Sequence, residues 1–202
     1  MKKIIITILV AALLLFCAST VLQSTAEKNA QKEHLWLMQT LLPGSENFVV
    51  EPYSGEDANI VSVHKAENGF VVETLVYGYA DNIRMLTAVS NDGKVTGLVV
   101  LESHETVGLG NEALTDHVFL SQFLNSSGSF EVATHGADAF SGATGTTESA
   151  TGTTESATGE TVEVDGITGA TVTSKAIARS VNSAVGFVTG ADVASSATTW
   201  GG

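Results

Sequence analysis

The chain has 202 residues, 44% of them hydrophobic, and a formal net charge of −13 at pH 7. This length and apolar content are sufficient for one domain with its own core, which excludes a disordered acidic tail. The acidic balance argues against nucleic acid as a partner, because such a surface repels phosphate backbones.

The first 26 residues predict a transmembrane anchor. Lys2 and Lys3 precede an apolar run without charges at 4–22, which as a helix is roughly 28 Å long, close to the ~30 Å of a hydrocarbon core. The two lysines place the N-terminus in the cytoplasm and the later residues on the extracytoplasmic side of the plasma membrane. A cleaved signal peptide is the alternative, because small residues follow the run at 24–26.

Residues 27–69 predict a lead-in of helix and strand. The stretch 27–41 has an apolar side at helical spacing, and Pro43 and Gly44 stop the helix. Strand character begins at residue 48 and continues into the next segment.

Residues 70–190 predict one α+β domain with a mainly antiparallel sheet and flanking helices. Its first half is rich in β-branched and aromatic residues, which favour strands. The sequence Ser-Asn-Asp-Gly-Lys at 90–94 predicts a tight hairpin turn, because Gly93 tolerates a positive φ. The predicted strands are 70–79, 83–90, 95–102, 129–136 and 161–164, and the predicted helices are 111–125 and 173–190.

A repeat interrupts the second half of this domain. The sequence ATGTTES at 143–149 recurs at 150–156 and begins a third time at 157–159. No position of the repeat is a large apolar residue, so residues 141–160 predict a surface loop rather than a coiled coil. Residues 191–202 predict a tail without regular structure.

Direct binding of a metal or of NAD is not predicted, and neither is a catalytic residue. Cys17 is the only cysteine, and no two of the five histidines are three or four residues apart. The chain also lacks a dinucleotide-binding glycine fingerprint between a strand and a helix.

The sequence DGITGAT at 165–171 lies between the last predicted strand and the last predicted helix. The first amides of a helix lack intrahelical partners and carry partial positive charge, so a phosphate fits there. Gly169 and Ala170 leave room for a bulky ligand near the backbone. An ordinary N-cap formed by Thr173 or Ser174 is the alternative interpretation.

The same segment resembles the flavinylation motif of the FMN-binding domain family, in which a flavin transferase joins FMN through its phosphate to the final threonine. The resemblance implies a covalent FMN on Thr171. A similar sequence, DAFSGAT at 138–144, ends at Thr144, but no helix follows it, which favours Thr171. The resemblance implies these further cofactor-binding residues: Asp165, Thr168, Gly169, Ala170, Thr173 and Ser174.

A second segment, HETVGLG at 104–110, resembles an element of the G subunit of Rnf electron-transport complexes, with Val107 in place of the usual proline. The resemblance implies that this loop and the turn 165–174 enclose FMN from two sides. Glu105 and Thr106 are candidates for hydrogen bonds to the flavin ring or ribityl chain, and a pair that only stabilises the loop is the alternative. The other implied cofactor-binding residues of the loop are Gly108, Leu109 and Gly110.

The two resemblances imply a membrane-anchored electron-transfer subunit of an Rnf-type ion-translocating ferredoxin:NAD⁺ oxidoreductase. Such a subunit has no turnover of its own, and its partners are the other membrane subunits and, during maturation, a flavin transferase. The C subunit of the Na⁺-translocating NADH:quinone reductase represents a sister family and is an alternative identity. Two other hypotheses stay open: a free-standing extracytoplasmic flavin carrier, and a non-redox surface protein that uses the threonine-rich repeat for adhesion.

Overall fold

The computed structural model describes residues 28–108, 110–133 and 161–190. The predicted anchor, the repeat and the tail therefore lie outside the described residues. Among the helices in the described ranges, none combines the length and the hydropathy needed to cross a membrane.

Within those ranges the chain forms four helices and seven strands. In chain order they are α1 (28–41), β1 (Val49–Glu51), β2 (Ile60–Lys65), β3 (Gly69–Tyr77), β4 (Asn82–Ser90), β5 (Val95–Ser103), α2 (Gly110–Thr115), α3 (His117–Ser121), β6 (Ser129–Ala133), β7 (Thr161–Asp165) and α4 (Thr171–Thr189). The predicted α+β class with an antiparallel sheet and flanking helices is confirmed.

The main sheet has five antiparallel strands in the order β1-β2-β3-β4-β5. It therefore takes in residues 49–65, which were predicted as a lead-in before the domain. A second, parallel pair joins β6 to β7. The central strand β3 is buried at Val71, Val72 and Thr74, on both of its faces, as expected for a strand covered from two sides.

The hairpin between β4 and β5 has the predicted turn. The Gly93 amide donates to the Ser90 carbonyl, the Ser90 amide donates to the Lys94 carbonyl, and Gly93 has φ 82°, a three-residue loop with its left-handed residue at glycine. The Ser90 hydroxyl donates to the Asp92 carboxylate and lowers the pKa of Asp92. This stabilisation is present at neutral pH and is lost as the pH falls through that lowered pKa.

The strand β5 contains a bulge beside β4. Ala88 pairs with Gly97 and Val89 pairs with Val95, so one extra residue, Thr96, lies between them. Gly97 lies against Leu41, whose backbone would be about 3 Å from an added Cβ. The Thr96 hydroxyl also donates to the Leu41 carbonyl at 2.8 Å.

The long helix α4 packs against β3, β4 and β6 and contributes most of one side of the core. Small buried residues along it, including Ala176, Ala178, Ser180 and Ala184, permit this close approach. The Asn182 side chain accepts from the Phe130 amide at 2.7 Å and donates to the Phe130 carbonyl at 2.9 Å. Its amide thereby satisfies both backbone groups of a buried residue of β6.

The single helix predicted at 111–125 is wrong: the structure has two short helices, α2 and α3. Asp116 ends the first and caps the second, because its carboxylate accepts from the amides of Val118 and Phe119 at 2.8 and 2.9 Å. An aspartate with extended backbone is a strong N-cap, and here it outweighs the continuous apolar spacing.

We expect Asn182→Ala to lower the free energy of unfolding of the full chain by about 2–3 kcal/mol, because two buried backbone groups of Phe130 lose their partner. Urea unfolding followed by circular dichroism measures the loss. Lys175→Ala, a substitution at an exposed position of the same helix, should change the free energy of unfolding by less than about 0.5 kcal/mol. Equal effects of the two substitutions would contradict this role of Asn182.

Candidate functional site

The turn that precedes α4 contains the motif glycine. Gly169 has φ 83°, and the Ala170 amide donates to the Ile167 carbonyl at 2.9 Å. A positive φ at the third turn residue favours glycine, since a Cβ there is strained. The turn ends at Ala170, and α4 begins at Thr171, two residues earlier than predicted.

The first turn of α4 has no side-chain cap. Its N-cap residue is Ala170, which has no side-chain acceptor. The Ser174 hydroxyl bonds to backbone before the helix, where it accepts from the Ile167 amide and donates to the Ala170 carbonyl. The predicted alternative of an N-cap formed by Thr173 or Ser174 is therefore wrong, and the helix start remains open to an anion.

The buried carboxylate of Glu105 connects this helix start to two other segments. One oxygen accepts from the amides of Tyr79 and Ala80 at 2.8 and 3.2 Å. The other oxygen accepts from the Thr173 hydroxyl at 3.0 Å. Glu105 is 8% exposed and Thr173 is 1% exposed, so the hydrogen bond between them is shielded from water, and the three bonds together connect the three segments.

Two glycines make room for this carboxylate. A Cβ on Gly78 would collide with one oxygen of Glu105, and a Cβ on Gly110 would collide with the other. The Cβ on Gly110 would also lie 2.6 Å from the Thr173 hydroxyl oxygen. Gly110 is thus required by close packing rather than by a left-handed backbone.

A pocket of about 240 Å³ opens where these segments meet. It is lined by Tyr79, by Gly110 and by residues 169–173. The structure thus brings Gly110, at one end of the loop 104–110, into the same pocket as the turn before α4. Except for Tyr79 and Val172, the lining side chains are small.

The residues of the predicted site fall into three groups. Those that line the pocket are Gly110, Gly169, Ala170, Thr171 and Thr173. Glu105 and Ser174 are buried behind the lining and bond to other protein groups. The exposed ones are Asp165, Thr168, Thr106 and Gly108, and Leu109 lies outside the described residues.

The backbone of Asp165 is held in place although its side chain is exposed. The Gln122 side chain accepts from the Asp165 amide at 2.8 Å and donates to its carbonyl at 3.2 Å. Sequence reasoning did not identify Gln122, Tyr79 or Val172. The signal for Tyr79 was weak: an aromatic residue directly after the Gly78 that follows β3.

Histidine and carboxylate side chains do not gather into a metal site in the described part of the chain. His104 lies near Asp81, with 3.8 Å between Nδ1 and the carboxylate oxygen, but both side chains are more than half exposed. This surface pair has the character of a weak, solvent-screened contact.

A comparison with known protein families matches the part of the chain that lines this pocket. The sequence pattern of the FMN-binding domain family matches residues 78–159 and 147–186. These matches include Tyr79, the loop 104–110 and the turn before α4, and the two matches overlap inside the repeat.

Several similar proteins are G subunits of ion-translocating complexes. The G subunit of the Na⁺-translocating ferredoxin:NAD⁺ oxidoreductase complex of Acetobacterium woodii is 29% identical over 193 residues, which cover 87% of this chain and 84% of that protein. The G subunit of the ion-translocating oxidoreductase complex of Methanosarcina acetivorans is 29% identical over 92% of this chain and 93% of its own length.

A third similar protein is the G subunit of the proton-translocating ferredoxin:NAD⁺ oxidoreductase complex of Clostridium ljungdahlii. It is 33% identical over 59% of this chain and 53% of its own length. These relatives confirm the resemblance to the Rnf G subunit that the loop 104–110 predicted. Because the two family matches together extend over more than half of the chain, this protein belongs to the FMN-binding domain family.

Proposed function

We propose that this chain is an electron-transfer subunit of an ion-translocating ferredoxin:NAD⁺ oxidoreductase complex and that it carries FMN on the hydroxyl of Thr171. The family match supports the cofactor, and the names of the relatives support the complex. The observation that carries the attachment site is the position of Thr171, which lines the pocket as the first residue of an uncapped helix.

The described residues fit the phosphate end of FMN. The helix start offers amides and partial positive charge without a competing side-chain cap. Gly169, Ala170 and Gly110 present little side-chain volume beside it. The pocket of about 240 Å³ is below the roughly 300–1,000 Å³ that encloses a drug-sized ligand, so it suits only part of a nucleotide.

When bound, FMN supplies a ring that takes up and releases one or two electrons. The chain's own residues have the task of fixing its place. Thr171 would supply the hydroxyl oxygen of the phosphoester, and the first amides of α4 would donate to its phosphate oxygens. Glu105 bonds both to Thr173 and to the turn at Tyr79, and so fixes the positions of these two lining residues relative to each other.

The exposed motif residues suit recognition by an enzyme during maturation. Asp165 and Thr168 lie on the surface beside the pocket rather than in it. A flavin transferase that modifies Thr171 has access to these side chains in the folded domain. Gln122 keeps the backbone of Asp165 in a defined place for that encounter.

The membrane location rests on the sequence and on the relatives. The apolar run at 4–22, preceded by Lys2 and Lys3, anchors the chain with its N-terminus in the cytoplasm and the flavin domain on the extracytoplasmic side. The partners there are the other membrane subunits of the complex.

Attachment of FMN to Thr171 can be tested by intact mass of the full chain from cells with an active flavin transferase. We expect the wild type and Thr144→Ala to carry the mass of one FMN less one water, and Thr171→Ala to lack it. The same flavin should fluoresce with the polypeptide band on a denaturing gel. An unmodified wild type, or loss only in Thr144→Ala, would show that Thr171 is not the attachment site.

Substitution of Glu105 should separate its charge from its hydrogen bonds. Glu105→Ala leaves two amides and the Thr173 hydroxyl without their acceptor, so we expect the free energy of unfolding to fall by about 2–4 kcal/mol and the flavinylated fraction to drop. Glu105→Gln keeps the shape of the side chain and can form hydrogen bonds with all three partners. It should therefore retain most of the free energy of unfolding and most of the flavinylated fraction. Urea unfolding and intact mass give the two readouts.

The control for Glu105 is Glu102→Ala, an exposed change in the same strand region. It should alter the free energy of unfolding by less than about 0.5 kcal/mol. If Glu105→Ala is as stable as this control, the carboxylate does not hold the pocket together.

Membership of a complex predicts polytopic partners. Affinity purification of the tagged full chain from detergent-solubilised host membranes should recover other membrane subunits in fixed proportion, and mass spectrometry identifies them. Recovery of a flavinylated chain alone from membranes, under conditions that preserve other complexes, would favour the free-standing carrier.

A further inference from the structure

Tyr79 differs from every other residue that lines the pocket. The remaining lining residues are two glycines, an alanine, a valine and two threonines, none of which has an aromatic ring. The Tyr79 side chain is 62% exposed. Among the described residues, it therefore gives this pocket its single extended π surface.

The backbone of Tyr79 is fixed although its ring is open to solvent. The Tyr79 amide donates to the buried Glu105 carboxylate at 2.8 Å, and the Gly78 amide closes a turn to the Asp81 carbonyl at 2.9 Å. Any residue larger than glycine at position 78 would collide with the Glu105 side chain. The backbone therefore fixes the point from which the ring extends, in the same pocket as the first turn of α4. A preorganised contact requires such a fixed attachment.

Six other aromatic side chains of the domain pack against one another in two groups. Tyr53 and Phe70 pack edge-on against Phe187, and Phe119 and Phe130 pack against Phe123. Tyr79 belongs to neither group. An exposed aromatic ring at the rim of a pocket has apolar area to bury against a ligand with a flat face.

We propose that the phenol ring of Tyr79 is the aromatic contact for the isoalloxazine ring of the flavin held on Thr171. This inference rests on the proposed function, because it needs the flavin at Thr171. The two residues line the same pocket, and the ribityl chain of FMN separates the tethered phosphate from the ring. Thr171 belongs to α4 and Tyr79 to the segment after β3, so the attachment point and the aromatic side chain come from different parts of the chain.

The contact has a signature that does not depend on the activity of a complex. A phenol ring against an excited flavin gives it an electron and takes the same electron back, so the emission is quenched with no net reaction. A phenylalanine ring has the same shape but is a much poorer electron donor. Tyrosine at this position therefore shortens the flavin's fluorescence lifetime, whereas phenylalanine does not.

The chain contains a matched control. Tyr77 is also 62% exposed and lies two residues earlier, at the end of β3, but it does not line the pocket. Tyr77→Phe removes the same phenol hydroxyl from the same hairpin. Both substitutions are at exposed positions, so neither is expected to prevent folding.

The test is time-resolved flavin emission of the full flavinylated chain in detergent, with intact mass measured on each sample. Tyr79→Phe should lengthen the lifetime several-fold, Tyr79→Trp should keep it short because indole is also a good electron donor, and Tyr77→Phe should match the wild type. After unfolding in urea, all flavinylated variants should converge on one lifetime.

Two results overturn the proposal and are distinguishable from each other. Tyr79 is not the contact if the flavinylated Tyr79→Phe chain has the wild-type fluorescence lifetime. The same conclusion follows if Tyr77→Phe lengthens the lifetime as much as Tyr79→Phe does. A wild-type chain with no flavin by mass contradicts the attachment at Thr171 itself, and the contact with it.

Discussion

The pocket depends on one buried carboxylate. Glu105 follows β5, yet it accepts hydrogen bonds from Tyr79 and Thr173, 26 and 68 residues away in the sequence. Each of these donors would cost free energy if it were buried without an acceptor, so the three segments are stable together rather than separately. Gly78 and Gly110 belong to the same constraint, because a side chain at either would displace the carboxylate. The wall that carries Tyr79 and the wall that carries Thr171 are therefore set by a common group.

The helix α4 has different roles along its length. Its middle turns stabilise the fold through small core residues and through Asn182, which holds β6. Its first turn lacks a side-chain cap, and an absent cap costs about 1 kcal/mol of helix stability. Thr173 and Ser174 lie inside the helix rather than at its N-cap, and their hydroxyls are bonded to Glu105 and to the backbone of Ile167 and Ala170. A bound anion would supply the partners that the missing cap does not. Proteins commonly give up some local stability in this way at functional sites.

The sequence predicts the elements that depend on a single segment. The hairpin at Gly93 needs only a residue that tolerates positive φ, and the last strand and helix follow from their own periodicity. The break at Asp116 was missed because apolar spacing continues across it, so a local cap outweighed the pattern. The partners of Glu105 and the place of Tyr79 arise from strand pairing and helix packing between distant segments. Periodicity within one segment contains no information about such pairs.

The motif turn is held by contacts among residues on either side of the connection between β6 and β7. Ala133 and Asp165 lie side by side at the ends of the parallel pair, and the Gly166 amide donates to the Ala133 carbonyl. Asn182 fixes β6 from α4, and Gln122 fixes the end of β7. The turn that leads to Thr171 is thus braced on both sides by residues outside 134–160.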